Sequence, residues 1–496
     1  MDPIAPGGFS DQSKLTALAE IAEIRGNVND RFAKTGNTTT SGISTQTGLV
    51  SIPLEAPAKS LYSVYTKLRQ RISRESDGKG GLSVTWRALT SIYGGGLDAG
   101  IAEGAVGSTV EFTEADVSAF YKTLGRLTSA TYESISASQT FDDVVAKATL
   151  GGLQNLQVSE EMSIIGGCAS GVIAPTPLAF ADTVLAADGT LTPSTTYYYA
   201  VSAVTLLGTD WINGTGARGI VGGVDSPNET TATTGNHSTT GSGAGSTATV
   251  VSWPAVKGAF AYNVYAGTTS TVKWIAQVTV PTYTLDAAPG TSGNLPNVGN
   301  QTANSLQFDG MTVQAAQAVG ANFIDAKGAS LTAGTGSVQE IDSALETMFR
   351  GPKVAPSLLL VSGHEAQTIR NLVLAAGTAV STQRFNVDVG PEGQIRAGSI
   401  FMEYTNPFFP GMPIEVLAHP YMPQGTMLLV TEKLPPWYPN ANIGTTWSVD
   451  TRREFYSIEY AIATSSGRVK PIGVYVEEVL KGYFPLGTAV ISGVGA

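Results

Sequence analysis

The sequence predicts an α+β protein that carries an inserted all-β sandwich. Three observations lead to this fold class. Residues 139–167 place apolar side chains every three to four positions, the spacing of a long amphipathic helix. Residues 173–300 are poor in charge, rich in Thr and Gly, and alternate in polarity as half-buried strands do. Residues 301–496 mix capped helices with short apolar strands, which is typical of a compact mixed core.

Composition limits the classes of function. Of 496 residues, 14% are charged and the net charge is −11, which argues against a basic surface that grips nucleic acid. Such a chain can still surround nucleic acid without adhering to it. The single cysteine, Cys168, excludes an intramolecular disulfide and fits a reducing compartment. The sequence shows no signal-peptide pattern and no membrane-length apolar run, so a soluble chain of cytoplasmic origin is expected.

Residues 1–75 are predicted to form an N-terminal arm. Residues 11–25 have one apolar helical face, whereas residues 26–60 contain too much Ser, Thr and Gly to order themselves. A short helix is expected near residues 61–71. The basic run there is either a solvated face or a contact with a phosphate or a partner, and its arginines are interface candidates: Arg69, Arg71 and Arg74.

Residues 76–125 are predicted to form a long β-hairpin. Two extended arms flank a glycine-rich, acidic crossing, and the return arm is expected to continue through VSAFYKTLGRLTSATY. The hairpin has too few apolar residues for a core of its own, so a neighbouring subunit is the expected cover. Its aromatic interface candidates are Trp86, Tyr93, Phe112 and Phe120.

Residues 126–172 are predicted to be organised around the long helix. Asp142 and Asp143 suit the positive end of its dipole. Gly151 and Gly152 stand in its middle and should weaken or bend it, by about 1 kcal/mol each relative to alanine. This glycine pair is therefore the candidate hinge. The adjacent residues Glu160-Glu161 near the helix end are predicted to point apart rather than converge.

Residues 173–300 are predicted to form the sandwich, with Trp253 as a core anchor and residues 230–247 as a loop. The patterns T-x-Y-x-Y-x-V-x-A-V (195–204) and S-W-x-A-V-x-G-A-x-x-Y-x-V-Y (252–265) resemble a fibronectin type III or immunoglobulin-like module. In the usual module the second pattern precedes the first. The module is therefore either circularly permuted or has exchanged strands from its two ends.

Catalytic chemistry is not predicted. Two capping boxes, Ser337-x-x-Glu340 and Ser362-x-x-Glu365, open helices of the final region. The three histidines, His237, His364 and His419, lack metal-ligand spacing and are expected to be surface or capping residues. No nucleophile elbow, zinc-protease motif or phosphate loop is present in the sequence. Cys168 is expected to be a packing residue. The sequence therefore predicts no enzyme, no cofactor and no metal.

The order of these parts resembles the major capsid protein of tailed bacteriophages, the Hong Kong 97-type shell fold. The resemblance rests on VSAFYKTLGRLTSATYESI (117–135), EEMSIIGG (160–167), SVQEIDSALETMF with APSLLLVSGHEAQTIRNL (337–372), and SGRVKPIGVYVE (466–477). It implies an N-terminal arm (1–75), an extended E-loop (76–125), a peripheral domain with a spine helix (126–172), and an axial domain with the remaining peripheral strands (301–496). The immunoglobulin-like insertion at 173–300 departs from that plain fold.

The resemblance implies a non-enzymatic shell protein of a virion, assembled in the host bacterial cytoplasm. Its copies would form hexamers and pentamers of a closed shell, with a scaffolding protein and a portal. The shell would enclose double-stranded DNA without sequence-specific binding and without a membrane. Other readings stay open: an encapsulin-like compartment with protein cargo, a non-viral β-sandwich adhesin or carbohydrate-binding protein, and an enzyme with dispersed catalytic residues.

Overall fold

The computed structural model describes residues 65–76, 81–94, 100–107, 111–138, 143–184, 189–214, 216, 218–239, 247–318, 320–334, 337–375, 388–389, 395–396, 403–438, 443–460 and 468–495. The helix predicted at 11–25 and the arm predicted at 26–60 lie outside these residues.

The strands of the described residues, in chain order, are β1 (Ser73–Ser76), β2 (Ser83–Gly94), β3 (Glu111–Phe120), β4 (Lys122–Thr131), β5 (Ala179–Val184), β6 (Thr196–Val204), β7 (Thr233–Ser238), β8 (Thr247–Ser252), β9 (Ala261–Gly267), β10 (Lys273–Val278), β11 (Thr282–Leu285), β12 (Asn322–Asp325), β13 (Leu358–Val361), β14 (Asp388–Val389), β15 (Ile395–Arg396), β16 (Glu403–Tyr404), β17 (Ile414–Ala418), β18 (Thr426–Val430), β19 (Trp447–Glu459), β20 (Val469–Gly482) and β21 (Thr488–Ser492). The helices are α1 (Tyr132–Ser138), α2 (Val144–Gly166), α3 (Asp210–Asn213), α4 (Met311–Gln317), α5 (Gln339–Arg350) and α6 (Gly363–Ala375). Helices and several sheets together confirm the predicted α+β class.

The predicted hairpin is present as the antiparallel pair β2 and β3, in register from Ser83 opposite Phe120 to Gly94 opposite Glu111. These two strands form a sheet of their own. The prediction that the return arm runs on through residue 132 is wrong. After Phe120 the chain enters β4, which leaves the hairpin and pairs with β20 in a four-stranded sheet of order β1-β19-β20-β4.

The long helix α2 packs on that four-stranded sheet and runs unbroken through its glycine pair. Asp143 begins it, because its Oδ1 accepts from the Ala146 N–H at 3.0 Å. Gly152 has a packing role: a Cβ there would lie 2.9 Å from Thr128 Cγ2 and 3.4 Å from Val474 Cγ2. The hinge at Gly151 and Gly152 stays a prediction.

The segment 65–76 differs from its prediction. Its described residues form a single helical turn, in which the Gln70 N–H donates to Thr66 O and the Ile72 N–H to Leu68 O. The chain then extends into β1, which pairs in parallel with β19. The helix predicted near 61–71 is therefore wrong over the described part of the chain, which forms one turn only.

The predicted sandwich is present as two antiparallel sheets, of order β10-β9-β6-β7 and β11-β8-β5. Trp253 is buried in their common core, as predicted, together with Tyr197 and Tyr199. Strand β6 was expected to be half-buried, but Ala200 and Ser202 on its other face are also buried. The polar loop predicted at 230–247 contains strand β7, and residues 240–246 lie outside the described residues.

The sandwich packs directly on the rest of the subunit. A Cβ on Gly166, the last residue of α2, would lie 2.7 Å from the ring of Phe260 in the sandwich. The Ala255 N–H donates to Asp325 Oδ2 at 2.8 Å, and Trp211 Nε1 donates to the Pro420 carbonyl at 2.8 Å. The sandwich therefore packs against the rest of the subunit and is not joined to it by a linker alone.

A six-stranded mixed sheet of order β12-β21-β18-β13-β17-β16 forms the second half of the body. Its central strand β13 is the predicted LLLV strand and is fully buried. Ser362 caps α6, since its Oγ accepts from the His364 N–H at 3.1 Å. The capping box at Ser337 is wrong: α5 begins after Val338 without a side-chain cap, and Glu340 instead accepts from the Thr332 N–H.

Candidate functional site, a buried ionic clasp

Charged side chains converge where residues 65–76 cross the C-terminal half of α2. We call this group the ionic clasp, and its members are Arg69, Arg74, Glu160, Glu161, His419 and Glu478. Glu160 and Glu161 were expected to point apart on the helix instead of converging on one substrate, yet both find partners on one chain segment. Both carboxylates are fully buried, and their binding partners come from the same segment of the chain.

Glu161 holds the backbone of the turn. Its Oε1 accepts from the Leu68 N–H at 2.8 Å, and its Oε2 accepts from the Arg69 N–H at 2.7 Å. His419 Nε2 lies 2.9 Å from Oε1, while His419 Nδ1 accepts from the Tyr421 N–H at 3.3 Å. This arrangement places the imidazole proton on Nε2, so the neutral ring donates to the carboxylate. The carboxylate replaces the carbonyl acceptors that a longer helix would have supplied.

Glu160 holds the side chains of the same segment. Arg69 Nε donates to Glu160 Oε2 at 2.6 Å, and Arg74 Nη1 donates to Oε1. The ring of Phe455 lies 5.2 Å from the Arg69 guanidinium and 5.4 Å from that of Arg74. The aromatic ring covers both cations and shields the ion pairs from water.

Glu478 is the third buried carboxyl group. Its Oε2 accepts from Arg74 Nη2 at 3.0 Å, and its Oε1 has no hydrogen-bond partner among the described residues. Burial, followed by the negative charge of Glu160, raises the pKa of Glu478 to about 8. These surroundings therefore favour the protonated form of Glu478.

Arg71 ties the same segment to the mixed sheet. Its Nη1 donates to Glu415 Oε2 at 2.8 Å and its Nε to Glu432 Oε1 at 2.7 Å. Glu415 belongs to β17, and Glu432 lies just after β18. Arg69 and Arg74 bind Glu160 of α2, which packs on the four-stranded sheet, whereas Arg71 binds the six-stranded sheet. The segment 65–76 therefore bridges the two sheets.

A second ionic group fixes the end of the segment. Lys481 Nζ lies 2.7 Å from Glu75 Oε2 and 2.9 Å from Asp450 Oδ2, and Asp450 is fully buried. Side-chain hydrogen bonds with Glu75, Tyr483 and Asp450 outweigh the opposing effect of burial and raise the pKa of Lys481. The ammonium group therefore stays charged at physiological pH.

The predicted interface residues occupy different surroundings. Arg69, Arg71 and Arg74 bind carboxylates of their own subunit. Trp86 is buried and its Nε1 donates to the Gly482 carbonyl at 3.0 Å, whereas Phe120 is 65% exposed. The side chains of Tyr93 and Phe112 lie outside the described residues. A role of these residues in contacts between subunits stays a prediction.

The histidines and the cysteine do not gather into a metal site. His419 is buried, contrary to the prediction of a surface or capping residue, and His237 bonds Asp182 across the sandwich at 2.8 Å. Over the described ranges, no group of three or more His, Cys, Asp or Glu side chains could hold a metal ion. None of the helices in the described part of the chain is long and apolar enough to span a membrane.

One sequence signal could have revealed the clasp. The two glutamates of EEMSIIGG stand where α2 is otherwise apolar, and a buried carboxylate requires a cation or hydrogen-bond donors. The donors come from a run with several arginines some ninety residues earlier. Nothing in the local sequence links the two stretches.

The chain is similar in structure to subunits of known protein shells. No family model matches the chain, and no curated protein matches it. Among solved structures, the capsid of a native GTA particle aligns over 92% of this chain and 100% of its own, with 10% identity and a TM-score of 0.40. The cyanophage A-1(L) capsid asymmetric unit aligns over 93% and 97%, with 10% identity and a TM-score of 0.40. The holo-SrpI encapsulin complex from Synechococcus elongatus PCC 7942 aligns over 94% and 95%, with 8% identity and a TM-score of 0.35. The chain is thus similar to shell subunits, at identities and TM-scores too low to assign it to a family or to carry an argument about its function.

Proposed function

We propose that the chain is the major capsid protein of a tailed bacteriophage, which assembles with copies of itself into an icosahedral head shell around double-stranded DNA. The observation that carries the proposal is the protruding hairpin of β2 and β3. Its base is attached to the body and its far end exposes apolar residues. In an assembled shell, a neighbouring copy of the chain would cover that exposed end.

The attached end of the hairpin is well defined. Trp86 and Ala88 are buried, Trp86 Nε1 donates to the Gly482 carbonyl, and the Leu89 N–H donates to the Tyr483 carbonyl at 3.0 Å. Toward the other end, residues 101–107 are all exposed. Ile101 is 57% exposed and Val106 is 97% exposed.

An isolated two-stranded hairpin is at best marginally stable in water, and exposed apolar side chains add to that cost. Burial against a neighbouring copy would offset both. Since identical copies carry identical hairpins, repeating the contact around a symmetry axis gives rings, and rings such as pentamers and hexamers can close a shell. A scaffolding protein and a portal belong to the same proposal. The net charge of −11 suits a wall that encloses DNA without trapping it.

The sandwich fits this proposal as an insertion of immunoglobulin type. Its sheet orders β7-β6-β9-β10 and β5-β8-β11 correspond in space to strands G-F-C-C′ and A-B-E of such a module. Along the chain, however, the order is A-F-G-B-C-C′-E. Because A still precedes F and G, a simple circular permutation does not produce this order, and it supports a module with exchanged strands at residues 173–300, between a peripheral region (126–172) and an axial region (301–496). The segment 1–75 would be the arm, with β1 as its root.

Electron microscopy of the full chain tests the function. We expect closed shells, and particles from a phage-producing host should hold nuclease-protected DNA. Shells loaded with a protein cargo and free of DNA would favour an encapsulin-like compartment. A protein that stays monomeric and binds glycans would favour an adhesin and overturn both shell readings.

A hairpin variant tests the observation that carries the proposal. Ile101→Asp with Val106→Asp should abolish shells while leaving the melting temperature of the free subunit within about 2 °C of wild type, because exposed residues contribute little to subunit stability. Val224→Asp, at a valine 70% exposed on the sandwich, is the matched control. Equal loss of shells in the control, or normal shells in the hairpin variant, would contradict the assigned role of the hairpin.

A further inference from the structure

The clasp contains more acid than its cations can balance. Glu160, Glu161 and Glu478 are fully buried, and in the described part of the chain the cations bonded to them are the guanidiniums of Arg69 and Arg74. His419 adds no full charge while its Nδ1 accepts from a backbone N–H. Three ionised carboxylates would therefore leave one uncompensated negative charge in the interior, which is strongly unfavourable.

Geometry identifies the carboxyl group that keeps a proton. Glu161 accepts two backbone N–H groups and the imidazole, and Glu160 accepts from two guanidiniums. Glu478 receives a single hydrogen bond, from Arg74, and its Oε1 is buried without a partner among the described residues. An ionised carboxylate needs more donors than this, whereas a protonated one needs fewer.

Charged groups face Glu478 from every element packed around it. Helix α2 contributes Glu160, and the segment 65–76 contributes Arg69 and Arg74. Glu454 of β19 lies 3.7 Å from Arg74, on the same guanidinium that bonds Glu478. Lys122 of β4 is the register partner of Glu478, but its Nζ donates to the Ser305 carbonyl at 2.7 Å. Arg69 and Arg74 are already counted in the charge balance, and the Lys122 ammonium is bonded elsewhere. These neighbours therefore do not balance the third negative charge.

We propose that residues 65–76 act as a proton-dependent strap, which stays seated across the two sheets while Glu478 is protonated and is released when Glu478 ionises. In the seated state Glu478 is buried and bonded to Arg74, whose guanidinium lies against the Phe455 ring. Releasing it admits water and restores an ordinary carboxyl group. The seated state thus binds one more proton than the released state over part of the pH range.

The sign follows from that extra proton. Burial, and next the charge of Glu160, raise the pKa of Glu478 to about 8 in the seated state. A carboxyl pKa raised in one state stabilises that state fully at low pH, and the stabilisation is lost as the pH rises through the raised value. The strap should therefore loosen progressively as the pH rises from the ordinary carboxyl range, about pH 4.5, to about pH 8, and level off above pH 8, where Glu478 is ionised in both states. This inference concerns the folded subunit and holds whether or not the chain builds shells.

Hydrogen exchange of the full chain measures the strap directly. The Leu68 and Arg69 amides, both bound to Glu161, should lose protection by up to about tenfold per pH unit between about pH 5 and pH 8, after correction for intrinsic exchange, because opening releases one proton in that range, and protection should level off above pH 8. In Glu478→Gln, which keeps the shape and cannot ionise, protection should stay constant between pH 5 and 8. Glu454→Gln, at a side chain 52% exposed, is the control and should lose protection as wild type does.

Two results of the exchange experiment would overturn the proposal. One is protection that stays level or rises between pH 5 and 8 in wild type, as it would if ionised Glu478 merely held Arg74 more tightly. The other is the same pH-dependent loss in Glu478→Gln. Infrared difference spectra of wild type decide the case if that variant does not fold: a buried protonated carboxyl band should be present at pH 7 and absent by pH 9.5, and its absence at pH 7 would overturn the proposal.

Discussion

Arg69 and Glu160 stand 91 residues apart in the sequence, yet Arg69 Nε donates to Glu160 Oε2 at 2.6 Å. The Glu160 side chain is fully buried and that of Arg69 is 17% exposed. The same carboxylate also binds Arg74. One glutamate of the long helix therefore bonds two cations of the segment 65–76, while the neighbouring Glu161 binds the backbone of the same segment.

Removing the charge of Glu160 should destabilise the subunit. In Glu160→Gln the guanidiniums of Arg69 and Arg74 lose their shared counter-charge beneath Phe455, so the free energy of unfolding should fall by about 3 kcal/mol. Urea unfolding of the subunit measures it. Glu454→Gln removes a more exposed partner of Arg74 and should change the free energy by less than about 1 kcal/mol. Equal losses in the two variants would contradict the central position of Glu160.

Gly152 and Thr128 should be coupled. Alanine in place of a mid-helix glycine normally adds about 1 kcal/mol of stability. At Gly152 the new Cβ would lie 2.9 Å from Thr128 Cγ2, and Thr128 is held because its Oγ1 donates to the Ile472 carbonyl at 3.2 Å. We expect Gly152→Ala to lower the unfolding free energy by about 1 kcal/mol, since overpacking costs about 1–3 kcal/mol.

A double-mutant cycle isolates that contact. Thr128→Ser removes Cγ2 and keeps the hydroxyl group. In the Thr128→Ser background, Gly152→Ala should become neutral or stabilising, as measured by urea unfolding. If the alanine costs the same in both backgrounds, the contact with Thr128 does not explain the glycine, and its proposed role as a hinge gains support.

Cys168 should be inert in the folded subunit. It is 3% exposed in the sandwich core, and burial, with a smaller effect from the charge of Asp309, raises the pKa of its thiol to about 12. At pH 8 a thiol reagent should label the native chain about 1,000-fold more slowly than the urea-unfolded chain, because each pKa unit removes tenfold of the thiolate. Rapid labelling of one equivalent in the native state would show that the core around Cys168 opens.

Elements defined by local patterns were predicted well. The hairpin arms, the long helix, the LLLV strand and the Ser362 cap follow from the spacing of apolar residues and from short-range capping chemistry. The Ser337 capping box failed although its pattern is the same. In the structure Glu340 accepts instead from the Thr332 N–H. Thr332 lies outside the four-residue pattern, so the pattern alone does not predict this bond.

The candidate site could be predicted only in part. Arg69, Arg71 and Arg74 were recognised as a basic run, and Glu160-Glu161 as an acidic pair, but their pairing was not predicted. Adjacent residues on an isolated helix do point in different directions. Here the segment 65–76 offers backbone donors to Glu161 and side-chain donors to Glu160, so both carboxylates find partners in one neighbour.

The long helix with its glycine pair, the exposed hairpin and the alternating strands of the sandwich were determined by the sequence itself, because periodicity and turn chemistry act over a few residues. The tertiary structure alone decided that Gly152 faces Thr128, that β4 leaves the hairpin for the sheet, and that three glutamates share one buried site with two arginines. Burial of a charge depends on every chain segment that excludes water around it. Those segments come from distant parts of the sequence and meet only in the folded subunit.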